Sequence, residues 1–215
     1  CQVTVQDSKT SCYHVPGRRF SVKITAGQFR GRSVHCPAGL DVRPTSSKVR
    51  QAFFNILGIR VRQASFLDIF AGSGLMGFEA LSRGASYAAF IEESRSQGKA
   101  IEQTIKMFGQ TDGEAELILG DFRRVLPGLE GNFKFDLIWA DPPYKMHYGA
   151  TVLALVEKHQ LLGEGGLVII EHLRGDPLPD ASPDGNLVKS DQRFYGQTGL
   201  TFFSNSKEEN SAKPT

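Results

Sequence analysis

A doubly wound α/β fold with a mostly parallel, seven-stranded sheet is the architecture this sequence predicts, behind a small basic N-terminal β-hairpin and helix. Three observations predict it. From about residue 64, apolar runs of strand length alternate with longer stretches of helical periodicity, the pattern of a parallel sheet buried on both faces. The first run, Phe66-Leu67-Asp68-Ile69-Phe70, passes into Ala71-Gly72-Ser73-Gly74 and then a helical pattern, the strand–glycine turn–helix opening of a nucleotide-binding unit. The last apolar stretch, Val188 to Ser204, is broken at Tyr195-Gly196-Gln197 and reads as a closing antiparallel hairpin.

Taken in order, residues 1–19 are polar and irregular and are expected to be disordered. Residues 20–36 alternate about Gly27 and Gly31 and read as a hairpin. Arg43-Pro44-Thr45 forces an extended turn, because a residue before proline avoids the helical region, and Thr45 or Ser46 can cap the helix that follows. Val49, Phe53 and Ile56 share one face of that helix. Lys48 and Arg50 fall off the centre of the stripe, so the helix is expected to present them, with Arg43, near the mouth of the site. These pieces form an extension over residues 20–62; the main unit covers 63–204. In that unit the first strand ends at Phe70 and its helix runs to about Arg83. Tyr87–Glu92 is a strand, Ser94 caps a helix to about Phe108, and Ala115–Leu119 is a third strand. Phe133 to Ala140 leads into a proline turn, Tyr148 to Leu161 is helical, and Gly166 to Glu171 is the fifth strand. Residues 205–215 are polar and are expected to be disordered.

Charge is unevenly placed. Residues 1–62 carry eleven Lys and Arg against two acids, a net of +9, while the rest of the chain carries −7. A basic arm on an acidic body suits a nucleic-acid partner, whose phosphates Arg30, Arg32, Arg43, Lys48 and Arg50 would neutralise. No apolar run approaches the roughly 20 residues needed to span a bilayer. Cys1, Cys12 and Cys36 are too few for a disulfide framework and are not paired at metal-ligand spacing, and the five histidines do not cluster with acids. The expectation is a reduced, cytoplasmic, monomeric protein with no membrane contact and no metal.

Chemistry concentrates at two loops. Asp141-Pro142-Pro143-Tyr144 ends a buried strand, and two prolines fix φ and stop the ladder. An acid, a stiff turn and an aromatic face at the carboxyl edge of a parallel sheet suit a planar group with an exocyclic amine: the carboxylate and a carbonyl accept its hydrogens and the ring stacks. Gly72, Gly74 and Gly77 match G-x-G-x-x-G, with Glu92 and Glu93 about 20 residues on, a spacing shared by NAD and S-adenosylmethionine sites. Asp68 favours the second, since an acid there can meet the ammonium of a methionine moiety. Glu92 directly ends its apolar run and is the choice for the ribose hydroxyls, with Glu93 the alternative.

Asp68-Ile69-Phe70-Ala71-Gly72-Ser73-Gly74 followed by Asp141-Pro142-Pro143-Tyr144 resembles the Rossmann-type amino-group methyltransferases that use S-adenosylmethionine. Ile24 to Arg32, Arg43-Pro44-Thr45, Val49 to Leu57 and Tyr195 to Thr201 narrow the resemblance to the RsmD family, bacterial enzymes that modify guanine N2 in small-subunit (16S) ribosomal RNA. The resemblance covers roughly residues 20–204. It implies that Asp141, Pro142, Pro143 and Tyr144 are catalytic and that Asp68, Phe70, Gly72, Gly74 and Glu92 bind the cofactor. It further implies that Asp121 accepts from the adenine amine and Phe122 flanks the ring, although Asp121 is also a natural helix cap. Phe70 stands where the commonest methyltransferase loop has its first glycine. The tetrapeptide also serves adenine-N6 and cytosine-N4 methylation of DNA. An NAD-dependent dehydrogenase would leave Asp141 and Tyr144 without a role, and a non-catalytic RNA-binding protein is the remaining alternative.

Overall fold

The computed structural model describes residues 20–36, 46–110, 113–143 and 146–206. The expectations for residues 1–19 and for the tail beyond 206, and those for Arg43, Thr45 and Tyr144, therefore lie outside the described residues.

A two-stranded hairpin, β1 (Phe20–Lys23) and β2 (Ser33–Cys36), comes first, then α1 (Ser47–Leu57) and a 3-10 turn, Gly58–Val61. The main sheet follows: β3 (Ser65–Ile69), α2 (Leu75–Ser82), β4 (Tyr87–Glu92), α3 (Arg95–Phe108), β5 (Ala115–Leu119), α4 (Phe122–Gly128) and β6 (Phe135–Ala140). It is completed by α5 (Gly149–Lys158), β7 (Leu162–Leu173), β8 (Leu187–Tyr195) and β9 (Thr198–Asn205). The strand order is β5-β4-β3-β6-β7-β9-β8. Only β9 runs against the others, pairing antiparallel with β7 and with β8. The sheet is the expected one: seven strands, mostly parallel, closed by the hairpin about Gly196.

Side-chain alternation sorts the core into two layers. Phe66, Phe90, Leu137 and Trp139 face one way and pack with Phe53 and Phe54 of α1, Phe78 of α2 and Phe108 of α3. Leu67, Ile69, Ile138 and Ile170 face the other way, against Leu126 of α4 and Val152, Leu153 and Val156 of α5. The extension has no core of its own: Ile24, Phe29, Val34 and Phe53 belong to the first layer, and the Phe53 ring lies 4.6 Å from that of Trp139. The boundary at residue 62 is thus one of chain order rather than of separate cores.

Several ends differ from expectation for local reasons. Phe70 lies beyond β3 because its φ of +67° leaves the strand region. β7 starts at Leu162, and its pairing with β6 jumps from Leu162 to Leu167 through a glycine-rich bulge. Helix α5 stops at Lys158 and Gln160 turns left-handed at φ +49°. Ser46 caps α1, its hydroxyl accepting from Val49 N.

The extension is locked to α2 by one buried carboxylate. Glu79, with no exposed surface, accepts from Thr25 N at 2.9 Å, Ala26 N at 3.1 Å, Thr25 Oγ1, and Arg83 Nε at 2.9 Å. Arg50 Nε of α1 lies 3.2 Å from Glu79 Oε2, close enough for an ion pair but off the axis of a hydrogen bond. Arg50 Nη2 donates to Lys23 O at 3.0 Å, whereas Nη1 finds no partner among the described residues. Beside this cluster Gly27, at φ +80°, sits so tightly on Ser82 that a Cβ would fall 1.7 Å from the Ser82 carbonyl. Gln28 N and Phe29 N donate to Ser82 O and Oγ at 2.8 and 2.9 Å.

Removing one partner of a buried ion pair leaves an uncompensated charge, a loss of about 3–5 kcal/mol. Glu79→Gln should therefore lower Tm by on the order of 10 °C in calorimetry. Arg50→Met removes the buried cation and leaves Glu79 with Arg83 and the Thr25 and Ala26 donors, so it should cost distinctly less. Equal losses would mean that the carboxylate is not the centre of the cluster.

Candidate active site at the carboxyl edge of the sheet

From β3 the chain moves outward to β4 and β5, then returns across β3 to β6, so the sheet's switch point lies between β3 and β6. Ligands of open α/β sheets bind in the crevice at the carboxyl ends of such strands. The pairing of Ile69 with Ala140 sets the two candidate loops, Phe70–Gly74 and Asp141–Pro143, side by side there. Asp141 is half-buried, Pro142 buried and Pro143 exposed.

The glycine loop is built by its neighbours. Gly72 and Gly74 have φ of +58° and +76°. Gly72 N donates to Glu92 Oε2 and Ser94 N to Glu92 Oε1, both at 2.7 Å, so the acid ending β4 ties the loop to the start of α3. Burial pushes the Glu92 pKa up, and the amide donors oppose the shift. Glu92 is buried and Glu93 exposed, so of the two candidates Glu92 is the one turned to the loop. The glycines divide by role. A Cβ on Gly74 would meet the Phe78 ring at 2.8 Å and one on Gly77 the Phe90 ring at 2.3 Å, so these two serve core packing. A Cβ on Gly72 would meet nothing nearer than 3.5 Å, so core packing does not demand that glycine.

Asp68 is 2% exposed and accepts from Gly77 N at 3.1 Å. Helix α2 has Gly74 at its N-cap and no side-chain cap of its own, so Asp68 supplies the missing acceptor from the strand beneath. Burial raises its pKa from 3.8 to about 7, the Gly77 bond working against the rise and nearby Glu92 adding to it.

An aromatic wall that the sequence reading saw only in part borders the loop. Phe70 and Phe122 have ring centroids 4.7 Å apart, and Tyr148 lies 5.2 Å from Phe122 and parallel to Phe70 at 6.2 Å. The Arg123 guanidinium stands 5.4 Å from the Tyr148 ring centroid. Asp121 caps α4 by accepting from Arg123 N at 2.9 Å and also grips the Arg123 guanidinium, which holds its pKa down to about 2. Tyr148 carries the only signal that could have flagged it, an aromatic at the start of the helix after the proline turn. Arg123 carries none.

Among the described residues, the candidate basic side chains are not all at the surface. Arg50, expected at the surface, is fully buried beside Glu79; that expectation is corrected, because the position on α1 faces α2. Arg30 and Lys48 are exposed. Arg32 is exposed as well, its guanidinium donating to Met107 O and lying 4.3 Å from the Phe108 ring centroid, at the far end of α3.

The native state holds the Asp68 proton more tightly than the unfolded chain does, so between about pH 4 and pH 7 Asp68 makes stability fall as pH rises. Asp68→Asn keeps an acceptor for Gly77 N and removes the titration. In urea melts its stability relative to wild type should grow by on the order of a few kcal/mol from pH 4.5 to pH 7.5. A constant difference would mean that Asp68 ionises normally in the fold.

A model of the family described as "Conserved hypothetical protein 95" matches residues 22–204. YlbH of Bacillus subtilis (strain 168) is 33% identical over 183 residues, which is 85% of this chain and 98% of that protein. Ribosomal RNA small subunit methyltransferase D of Haemophilus influenzae is 29% identical over 163 residues, 76% of this chain and 84% of its own. The solved structure of yhhF from Escherichia coli matches with a TM-score of 0.75 at 28% identity, covering 86% of this chain and 98% of that one. With a family match that runs from within β1 into β9, the chain belongs to the RsmD family.

Proposed function

We propose that this protein transfers a methyl group from S-adenosylmethionine to the exocyclic N2 of a guanine in small-subunit ribosomal RNA. The observation that carries the reading is the side-by-side placement of a glycine loop and an Asp-Pro-Pro turn at the sheet's switch point. When bound, S-adenosylmethionine supplies an electrophilic methyl group on a sulfonium.

The residues present fit that cofactor. Each Glu92 oxygen accepts one backbone N–H and keeps a lone pair for a ribose hydroxyl. Phe122, with Phe70 and Tyr148 behind it, offers a flat apolar wall for adenine, and Asp121 an ionised acceptor at its rim. Gly72 lets the backbone approach closely, while Gly74 and Asp68 hold the loop and α2 in place. On the substrate side, the guanine leaves its stack to enter the crevice. Tyr144 stacks on it, and the Asp141 carboxylate and Pro142 carbonyl accept the amine hydrogens. Those bonds draw the nitrogen lone pair out of conjugation and aim it at the methyl carbon; positioning of this kind supplies much of the acceleration. As the N–C bond forms, the S–C bond would break to leave a neutral thioether, and the alkylated nitrogen would lose its proton to solvent water.

The 20–62 extension is the RNA-binding part in this reading, with Arg30, Arg32, Arg43 and Lys48 meeting phosphates and Arg50 bracing the extension from inside. The protein works in the cytoplasm as a monomer. Among the described residues no helix is long and apolar enough to cross a membrane.

Labelled S-adenosylmethionine, small ribosomal subunits from cells lacking the protein and nucleoside analysis test the reading: label in N2-methylguanosine is expected, and label in another nucleoside overturns the guanine assignment. Asp141→Asn should lower kcat/KM by about 10- to 100-fold, the worth of one charge-assisted hydrogen bond, with cofactor affinity within a few-fold. Tyr144→Ala should lose on the order of 10- to 100-fold and Tyr144→Phe little, since stacking supplies roughly 1–3 kcal/mol per base. If Tyr144→Phe is as inactive as Tyr144→Ala, the phenol rather than the ring carries the role. Charge reversal of Arg30 and Lys48 together should weaken subunit binding and flatten its salt dependence; an unchanged slope would take the arm out of the RNA interface.

A further inference from the structure

The turn at Tyr195-Gly196-Gln197 closes the last hairpin on the same edge of the sheet as the Asp141 turn. The register fixes its place: Ala140 at the end of β6 pairs with Ile170, His172 pairs with Gly199, and Gly199 pairs with Phe194. From β6 across β7 and β9 to β8 is three strand spacings, roughly 14 Å. Phe194 and His172 stand on one face, both against Gly199, where a Cβ would fall 3.0 Å from the first ring and 2.6 Å from the second. His172 also lines a small cavity with Pro142, Pro143 and Ile170, so that face runs from the proline turn to Phe194. The glycine loop after β3, the proline turn after β6 and the hairpin turn after β8 follow one another along the carboxyl edge.

The Phe194 ring is 40% exposed, and the Arg174 guanidinium lies over it, 4.5 Å from its centroid. The turn holds the arginine: Arg174 N donates to Gln197 O at 2.7 Å, and Arg174 Nε donates to Gly196 O at 2.9 Å. Among the described residues, neither Arg174 Nη nitrogen has an acceptor. The ring is backed by His172, which meets it edge-on with centroids 6.2 Å apart. His172 is fixed in turn, its ring nitrogens lying 2.9 Å from Leu173 O and 2.8 Å from Thr201 Oγ1. A guanidinium held on an aromatic ring keeps both its charge and its plane, and little freedom is left to lose when a ligand arrives.

A planar cation on an exposed aromatic ring suits a nucleotide: the base stacks on the plane and the phosphate meets the charge. A base drawn out of its stack leaves its neighbours uncovered, and a surface that stacks on one of them offsets part of that cost. At about 3.4 Å per stacked nucleotide, the distance from β6 to β8 spans on the order of four nucleotides, fewer where the strand is unstacked. We propose that Arg174 and Phe194 form a stacking platform for an unpaired nucleotide of the RNA a few positions from the methylated base. The platform rests on the methyltransferase reading above. It adds a point of attachment on the crevice's own edge, away from Arg32 at the far end of α3.

Steady-state methylation of small ribosomal subunits from cells lacking the protein tests it, with S-adenosylmethionine affinity measured alongside by calorimetry. Phe194→Ala removes the ring, and Arg174→Lys keeps the charge but loses the plane. Each should lower kcat/KM for the subunit by about tenfold, near the lower end of what one base–aromatic stack supplies, with cofactor affinity within a few-fold. Phe194→Tyr keeps the face and should keep the wild-type kcat/KM. A wild-type kcat/KM in either Phe194→Ala or Arg174→Lys overturns the proposal. So does a parallel loss of cofactor affinity, which would make the pair a brace for the fold. If Phe194→Ala does not fold, Arg174→Lys decides: wild-type turnover there, with a deficit in Arg174→Ala, marks a phosphate contact without stacking and overturns the platform. A wild-type enzyme that labels no nucleoside of the subunit means that the underlying reading has failed; a wild-type enzyme that labels the subunit, with variants equal to it, means that only the platform has.

Discussion

A single carboxylate without solvent contact, that of Glu79, sets how residues 20–36 and 46–62 meet the rest of the molecule. Two backbone amides and a hydroxyl from the hairpin turn, Arg83 from the same helix and Arg50 from α1 all converge on it. Such a cluster stabilises little in net terms, because desolvating the charges offsets most of their attraction. Its effect is on uniqueness: any other register of the turn or of α1 would bury Arg50 or Glu79 without a counter-charge. The tight approach of Gly27 to Ser82 enforces the same register sterically. Fixing α2 in this way also fixes the loop at its other end, since Asp68 reaches up from β3 to the first turn of α2 and Gly74 and Gly77 are wedged against Phe78 and Phe90.

Much of the fold was legible because each layer obeys its own periodicity. β4 and β5 end where the apolar runs end, and Ser94 and Ser46 cap the helices they precede. The placement of the candidate loops was legible where chemistry and turn geometry coincide, at Asp141-Pro142-Pro143 and at Glu92. Less could be read where one residue type serves two purposes. Gly74 and Gly77 fit a nucleotide-loop pattern, yet the atoms that demand them are aromatic carbons of the core. Phe70 takes a left-handed φ that glycine adopts without strain, which explains why the commoner loop has glycine there, while its ring finds Phe122 and Tyr148 as neighbours.

Arg50 was misjudged because helical spacing ranks positions only by the apolar residues around them. It lies off the centre of the Val49–Phe53–Ile56 stripe but directly against α2, and its partner is some thirty residues away in sequence. A signal did exist: Glu79 is the sole charge in Leu75-Met-Gly-Phe-Glu79-Ala-Leu81, a helix otherwise apolar all round. An acid in a fully buried helix requires a cation, and the basic stretch upstream is the nearest supply.

The two ends of α2 also lie at opposite edges of the sheet. Its first turn borders the crevice, whereas its last residue, Ser82, receives the hairpin turn that carries Arg30, and α3 likewise ends at the Met107 carbonyl that holds Arg32. A helix of 14 residues is about 21 Å long. Arg30 and Arg32 therefore stand at the amino edge of the sheet, opposite the Asp141 turn, and a ligand touching both edges must extend around the α2–α3 layer. A single nucleoside could fill the crevice without meeting either arginine. Phosphate contacts position a nucleic acid and base contacts specify it; under the proposed function the two would fall to opposite edges of one sheet, so changes in the arm would alter the affinity for a large RNA without touching the crevice.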